Sequence, residues 1–184
     1  MENVKPSSAS VAIKWAVFNI LTGIVVTYAF QFSGIDQSSP IRYVSFLPFI
    51  AFLLLAQKEY RERLGGFMTF GEGFMPGFLF AVFAGLFSAV FIYVYLGILS
   101  PHVFEASMVD AQAKMEAKGT MSSEQIETAM SISRKYGVLL AAVGTVFVTA
   151  IMGAIIALIG AAIFKKERSV LDIEQANNYS DPAV

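Results

Sequence analysis

Long apolar blocks alternate with short polar segments along the chain. Each block is free of charge in its central portion, and the blocks run from about 16 to about 28 residues. Crossing roughly 30 Å of hydrocarbon takes about 20 apolar residues at a rise of 1.5 Å each. The pattern therefore predicts an all-α integral membrane four-helix bundle, with spans at residues 15–32, 41–56, 76–99 and 137–164.

Polar segments delimit these blocks and give the domain boundaries. Residues 1–14 predict a cytoplasmic leader, residues 15–168 a single transmembrane domain, and residues 169–184 a flexible cytoplasmic tail. A cleaved signal peptide is the alternative for the first block. It would have an apolar region of about 7–15 residues followed by a small-x-small site, whereas this block is longer and ends in Phe30-Gln31-Phe32.

Residues 102–136 predict an extracytoplasmic helical hairpin between helices 3 and 4. Gly119 suits a helix C-terminus, and Ser122 lies three residues before Gln125, which is the spacing of a capping box. Apolar residues recur at helical spacing on both sides of this break, namely Phe104, Met108, Ala111 and Met115, then Ile126, Ala129 and Met130. The hairpin either lies on the outer leaflet or continues the flanking membrane helices.

Composition and charge narrow the function classes. The chain is 56% hydrophobic and 15% charged, against about 25% charged in a soluble domain. A net charge of −1 argues against a nucleic-acid surface, which needs clustered Lys and Arg. The chain has no Cys and one His, so we expect no disulfide, no metal site and no cofactor.

Basic residues next to the apolar blocks predict the orientation. Cytoplasmic loops of membrane proteins carry an excess of Lys and Arg. Eight of the 13 Lys and Arg fall in the leader, in the run at residues 57–66 and in the run at residues 165–168, and five fall on the opposite side. We therefore expect both termini to be cytoplasmic.

Small residues recur every four positions in the third and fourth blocks. This spacing allows helix backbones to approach closely, and dispersion then stabilises the pair. The rungs that we expect to pack are Gly77, Ala81 and Gly85 in the third block and Thr149, Gly153 and Ala157 in the fourth. Packing between these two helices is the favoured interpretation, and homodimerisation through one ladder is the alternative.

Three polar residues are candidates for a functional role. Asn19 is the intramembrane side chain that needs a partner, since the intramembrane hydroxyls can bond to carbonyls of their own helices; an interhelical hydrogen bond is favoured over a ligand contact. Glu72 follows Thr69 at capping-box spacing, which favours a structural role over a catalytic one. His102 could respond to external pH, although a solvated loop histidine is the simpler interpretation.

The chain resembles a family of uncharacterised bacterial membrane proteins, the domain-of-unknown-function family 4199. The resemblance covers about residues 10–167. It rests on QKEYRERLGGFMTFGEGF (57–74), the aromatic third helix, MSSEQIETAM (121–130) and the final FKKE (164–167). It implies four helices with the charged loop inside, and no established activity or functional residue is transferred. Pro76 departs from the family pattern and predicts a short interfacial turn before the third span.

We expect no catalysis, because no acid or base lies in the central portion of any block. The leading hypothesis is a scaffold or accessory subunit in the lipid bilayer of the bacterial inner membrane. It would present the outer hairpin and the inner basic loop to a membrane-protein partner or to a second copy. The alternative is a transporter or channel for a small or lipidic substrate, which needs a polar path that only Asn19 and scattered hydroxyls offer.

Overall fold

The computed structural model describes residues 6–34, 43 and 46–167, so the predicted tail and the start of the leader lie outside the described residues. Regular secondary structure within these ranges is helical, and one isolated β-bridge pairs Met68 with Lys166. The elements are α1 (Ser8–Ser33), α2 (Phe46–Arg63), α3 (Phe70–Val94), a π-helical segment (Tyr95–Leu99), α4 (Pro101–Lys118) and α5 (Ser123–Phe164). The predicted all-α class is confirmed.

Among the described residues, three helical stretches are long and apolar enough to cross a membrane: α1, α3 together with the π-helical segment, and α5. Most of their side chains point away from the protein interior; Val25 is 68% exposed and Phe147 is 64% exposed. Contiguous apolar surface on this scale is unusual for a protein surrounded by water. These faces suit the hydrocarbon of a bilayer.

α2 departs from the pattern of the other long helices. Five charged residues occupy its last six positions, and the uncharged stretch before them is shorter than a bilayer crossing. The first residues of the predicted second span, 41–42 and 44–45, lie outside the described residues. A span at residues 41–56 therefore stays a prediction.

α1 begins at Ser8, seven residues before the predicted span. Ser7 is the N-cap, and its hydroxyl accepts a 3.3 Å hydrogen bond from the Ser10 amide. The predicted apolar span starts at Trp15, directly after the charged Lys14. A charged residue limits the length of a membrane span, but it is an ordinary helix former and does not end a helix.

The chain divides into two compact units. The first unit comprises residues 1–83 and 152–184 and contains α1, α2, the start of α3 and the end of α5; its buried residues include Leu53, Met68, Phe80, Ala81, Ala157 and Ala161. The second unit comprises residues 84–151 and contains the rest of α3, the π-helical segment, α4 and the larger part of α5; its buried residues include Ala84, Tyr95, Phe104, Ile126, Met130 and Ala142.

α5 is one continuous helix of 42 residues. At 1.5 Å per residue it is about 63 Å long, roughly twice the thickness of the hydrocarbon layer. Residue 137 is where the predicted fourth span begins, and the helix continues through it, as in the alternative in which the hairpin continues the flanking helix on this side. Gly137 does not interrupt the helix; it admits the ring of Phe104, whose Cζ would lie 2.8 Å from a Cβ at that position.

A π-helical turn and Ser100 separate α3 from α4. The Ser100 amide donates a 2.7 Å hydrogen bond to the Tyr95 carbonyl, and Pro101, which has no amide hydrogen to place, begins α4. The capping box predicted at the start of α5 is confirmed: the Ser122 amide donates to Gln125 Oε1 (2.9 Å), and the Gln125 amide donates to the Ser122 hydroxyl (3.3 Å).

The turn predicted at Pro76 is wrong, because α3 runs without interruption from Phe70. Proline inside a helix removes one hydrogen-bond donor, and neighbouring helices can compensate in a packed membrane bundle. Pro76 is fully buried here, and α3 continues through it.

Candidate functional site

The most distinctive polar feature of the first unit is the buried side chain of Gln57. Its exposure is 0%. Its Nε2 donates to the carbonyl of Gly73 in α3 (2.9 Å) and to the carbonyl of Ala157 in α5 (2.8 Å). One amide from α2 therefore ties α3 to α5, and we call this arrangement the amide node.

Two glycines provide the space that the amide node occupies. A Cβ at Gly77 would lie 2.8 Å from Gln57 Nε2 and 2.9 Å from the Cβ of Ala157. A Cβ at Gly160 would overlap Gln57 Oε1 outright. That oxygen is buried and accepts no hydrogen bond, a situation that costs about 1–3 kcal/mol for a neutral group. The amide node is therefore closely packed, but the Gln57 carbonyl oxygen lacks a hydrogen-bond donor among the described residues.

The predicted small residues meet in pairs. In the first unit, Gly77 faces Ala157, and Ala81 is so close to Gly153 that a Cβ on Gly153 would overlap the Cβ of Ala81. In the second unit, a Cβ on Gly85 would lie 3.3 Å from the Cβ of Thr149. Each step of four residues up α3 is matched by a step of four residues down α5, as an antiparallel pair requires.

A charged cluster joins α1 to α2 in the same unit. The carboxylate of Glu59 accepts hydrogen bonds from Lys14, from Trp15 Nε1 (2.7 Å) and from Arg63 (2.7 Å). Partial burial alone would raise the pKa of Glu59, but these donors, with the charge of Lys14, outweigh it and hold that pKa below its ordinary value. Glu59 is therefore ionised at neutral pH, and its carboxylate links α1 to α2.

The segment between α2 and α3 is pinned to the end of α5. Met68 and Lys166 exchange backbone hydrogen bonds of 2.8 and 2.9 Å. Gly65 and Gly66 have φ of 80° and 88°, left-handed conformations that favour glycine and turn the chain after α2. Met68, two residues after the predicted basic run at 57–66, is thus paired with the end of α5, and residues 57–63 of that run belong to α2.

The three polar candidates occupy separate local environments. Asn19 is half-buried, and its side chain makes no hydrogen bond to any residue in the described part of the chain. Glu72 accepts from the Thr69 amide and from the Thr69 hydroxyl, both at 2.9 Å, so the predicted capping box is present. His102 is exposed in the first turn of α4.

Sequence reasoning missed Gln57 because it was grouped with the charged run that follows it. A signal was available: Leu53, Gln57 and Tyr60 lie at positions i, i+4 and i+7, and all three are buried. A polar residue on the buried stripe of a helix needs a partner. The sequence could therefore have shown that Gln57 needs a buried hydrogen-bond partner. It could not have shown that the partners are the carbonyls of Gly73 and Ala157.

The second unit has a polar groove between α4 and the first turns of α5, with a volume of about 870 Å³. We call it the α4–α5 groove. Its lining residues are Gln112, Glu116, Ser123, Ile126, Glu127, Met130, Ser131, Arg134 and Lys135. Arg134 forms no ion pair or hydrogen bond with any other described residue, so its charge is available to a ligand or a partner.

Metal coordination is not suggested by the residues at either site. Over residues 6–34, 43 and 46–167, no three His, Asp or Glu side chains come together in a group that could hold a metal ion. The polar groups of the amide node are an amide and backbone carbonyls, and those of the groove are side chains of mixed charge.

The model of a family described as protein of unknown function (DUF4199) matches residues 14–166 of the 184. The chain belongs to the DUF4199 family. The match covers all the interactions of Gln57 and Glu59 and the whole α4–α5 groove, so both features lie within the DUF4199 domain. No curated protein and no solved structure is significantly similar to this DUF4199 chain.

Proposed function

We propose that this DUF4199 protein is a non-catalytic membrane scaffold or accessory subunit that presents the α4–α5 groove to a protein partner. The observation that carries the proposal is the length of α5. A single helix of 42 residues exceeds a bilayer crossing by about 20 residues. The part of α5 that lines the groove with α4, from Ser123 to Lys135, would project beyond the bilayer, as an interaction module requires.

The proposal includes a topology of four spans in the bacterial inner membrane. The second span would combine the apolar start of α2 with the residues that precede it. Both termini and the Lys58–Arg63 region would be cytoplasmic, since basic residues concentrate there, and α4 with the first turns of α5 would lie outside.

Charge in the groove gives the proposal a direct test. Arg134 lines the groove and its side chain pairs with no other described residue, whereas Lys118 ends α4 outside the groove. Wild-type protein, Arg134→Glu and the matched control Lys118→Glu are expressed at native level, crosslinked in membranes and purified. We expect one stoichiometric partner with wild type and control, and a reduction of about ten-fold or more with Arg134→Glu, as for charge reversal at an interface.

The results separate the partner classes. Recovery of a second copy of this chain identifies a homo-oligomer, and recovery of another protein identifies an accessory subunit. Equal recovery with Arg134→Glu and wild type would remove the groove from the interface. Recovery of no partner at all would contradict the scaffold.

A transporter or channel for a small or lipidic substrate is the second candidate, favoured by Asn19 in α1, which is half-buried and forms no side-chain hydrogen bond with any described residue. Purified protein alone in proteoliposomes would then support substrate flux. Loss of that flux in Asn19→Leu, with normal membrane insertion, would establish this function and overturn the scaffold.

A further inference from the structure

The junction between the loop after α2 and the end of α5 holds two cations that pair with no carboxylate in the described part of the chain. Arg61 and Lys166 form no ion pair with any residue that the structure describes. The cations around them are paired: Lys58 with Glu62 (3.9 Å), Lys14 and Arg63 with Glu59, and Lys165 with Glu167 (3.1 Å). Among the described residues, Arg61 and Lys166 therefore have no counter-ion at this junction.

Arg61 is held in place by an aromatic ring. Its Cζ lies 5.5 Å from the ring centroid of Phe164, the last residue of α5. Its Nε is buried and has no hydrogen-bond partner. The two Nη atoms, unlike Nε, are not fully buried. They bond to no described residue, so they are the accessible part of the guanidinium.

Lys166 is held in a similar way, two residues after Phe164. Its Nζ lies 5.2 Å from the ring centroid of Phe67. Its backbone is fixed by both hydrogen bonds to Met68. Arg61 thus contacts the ring of Phe164, and Lys166 lies two residues after Phe164 in the chain.

The junction also adjoins apolar surface. The uncharged stretch of α5 ends at Phe164, and Ile163 beside it is 66% exposed. A membrane-spanning α5 would place this point at the boundary between hydrocarbon and headgroups. A ligand that fits has a phosphate for the cations and acyl chains for the apolar surface, which favours a lipid over free phosphate.

We propose that Arg61 and Lys166 bind the phosphate of an anionic phospholipid, and we call the arrangement with Phe67 and Phe164 the junction site. The guanidinium supplies paired donors that match phosphate oxygens. The ammonium supplies a second charge, and both rings limit the motion of the cations before the lipid binds. The inference rests on the membrane placement proposed above and is independent of the α4–α5 groove.

Native mass spectrometry of the full chain with phosphatidylglycerol tests the junction site. The variants are Arg61→Gln, Lys166→Gln and the double variant, and the charge-matched control is Lys58→Gln with Lys165→Gln. We expect each single variant to lower the retained phosphatidylglycerol by about five-fold, the usual weight of one cation near an anionic lipid surface. The control should retain wild-type levels, and phosphatidylcholine should not be retained by any form.

Further measurements fix the interpretation. Equal retention by wild type and both single variants would overturn the proposal, as would an equal loss in the control. Displacement of the lipid by an equimolar amount of inorganic phosphate would overturn the lipid as ligand and identify a general phosphate site. Circular dichroism confirms folding of each variant, and the two single variants decide the result where the double variant aggregates. Release of wild-type protein from membranes by carbonate would instead contradict the membrane placement.

Discussion

The side-chain amide of Gln57 donates a 2.8 Å hydrogen bond to the carbonyl of Ala157, which lies 100 residues later in the chain. The same nitrogen donates to Gly73, so two acceptor oxygens face it. Two carbonyl oxygens can both accept from an amide N–H group, whereas they would repel a negatively charged side chain at this position. Local structure in three separate helices thus depends on the chemistry of one side chain.

Gln57→Glu is expected to destabilise the protein by about 3–5 kcal/mol at pH 8, because it buries a charge beside two carbonyl oxygens. The loss should be smaller at pH 5. Burial raises the pKa of the new carboxyl in the folded state, so stability falls as pH rises above the unfolded value.

Gln57→Leu and Lys58→Glu are the controls, measured with Gln57→Glu by denaturant unfolding in detergent. Leucine removes both the donors and the unpartnered oxygen, and it should cost less than about 2 kcal/mol. Lys58, whose side chain is 53% exposed, should tolerate the acid. A Gln57→Glu protein as stable at pH 8 as the leucine variant would contradict the amide node.

Gly153→Ala is expected to destabilise the protein by about 1–3 kcal/mol through overpacking against Ala81. Adding Ala81→Gly should restore stability, because the new methyl group then occupies the space of the old one. Gly144→Ala in the same helix is the control: no atom lies within 4 Å of its Cβ position, so it should be neutral or slightly stabilising. Failure of the double variant to recover in thermal unfolding would show that this contact does not set the helix distance.

The pairing of these small residues follows from the sequence to a large degree. Steps of four residues place Gly77, Ala81 and Gly153 on narrow helix faces, and close approach is what such faces permit. The register is also constrained, since an antiparallel pair must match steps upward in one helix with steps downward in the other. The structure adds the residue pairs that are in contact, such as Gly153 with Ala81.

Other features depend on long-range contacts that local patterns do not encode. α3 continues through Pro76, which is fully buried, so the residue pattern alone wrongly predicted a turn. The role of Gln57 depends on carbonyls that are 16 and 100 residues away. Helix caps such as Thr69 with Glu72 involve only neighbouring residues, and these were predicted correctly.

Glu59→Gln is expected to reduce stability by about 1.5–3 kcal/mol at pH 7, because it weakens charge-assisted hydrogen bonds from Lys14, Trp15 and Arg63. The folded pKa of Glu59 lies below its ordinary value of 4.5. Its stabilising effect is therefore present above that value and is lost as pH falls through the folded pKa.

Unfolding measured from pH 7 down to pH 3 checks this prediction. Wild-type protein should lose stability below about pH 4.5, and Glu59→Gln should show a smaller loss over the same range. Glu62→Gln is the control, since its side chain is 60% exposed and lies 3.9 Å from Lys58. If wild type and Glu59→Gln lose the same amount of stability between pH 7 and pH 3, the acid sensitivity comes from other carboxylates.

The orientation of the chain is testable with single cysteines, because the sequence contains none of its own. Lys114 and Lys58 are exposed positions, 70% and 53% by side chain, on the segments that we place outside and inside. In intact spheroplasts a membrane-impermeant maleimide should label Lys114→Cys and spare Lys58→Cys, and in permeabilised membranes it should label both. The reverse pattern would invert the topology. It would also move the α4–α5 groove to the cytoplasm, so its partner would have to be sought there.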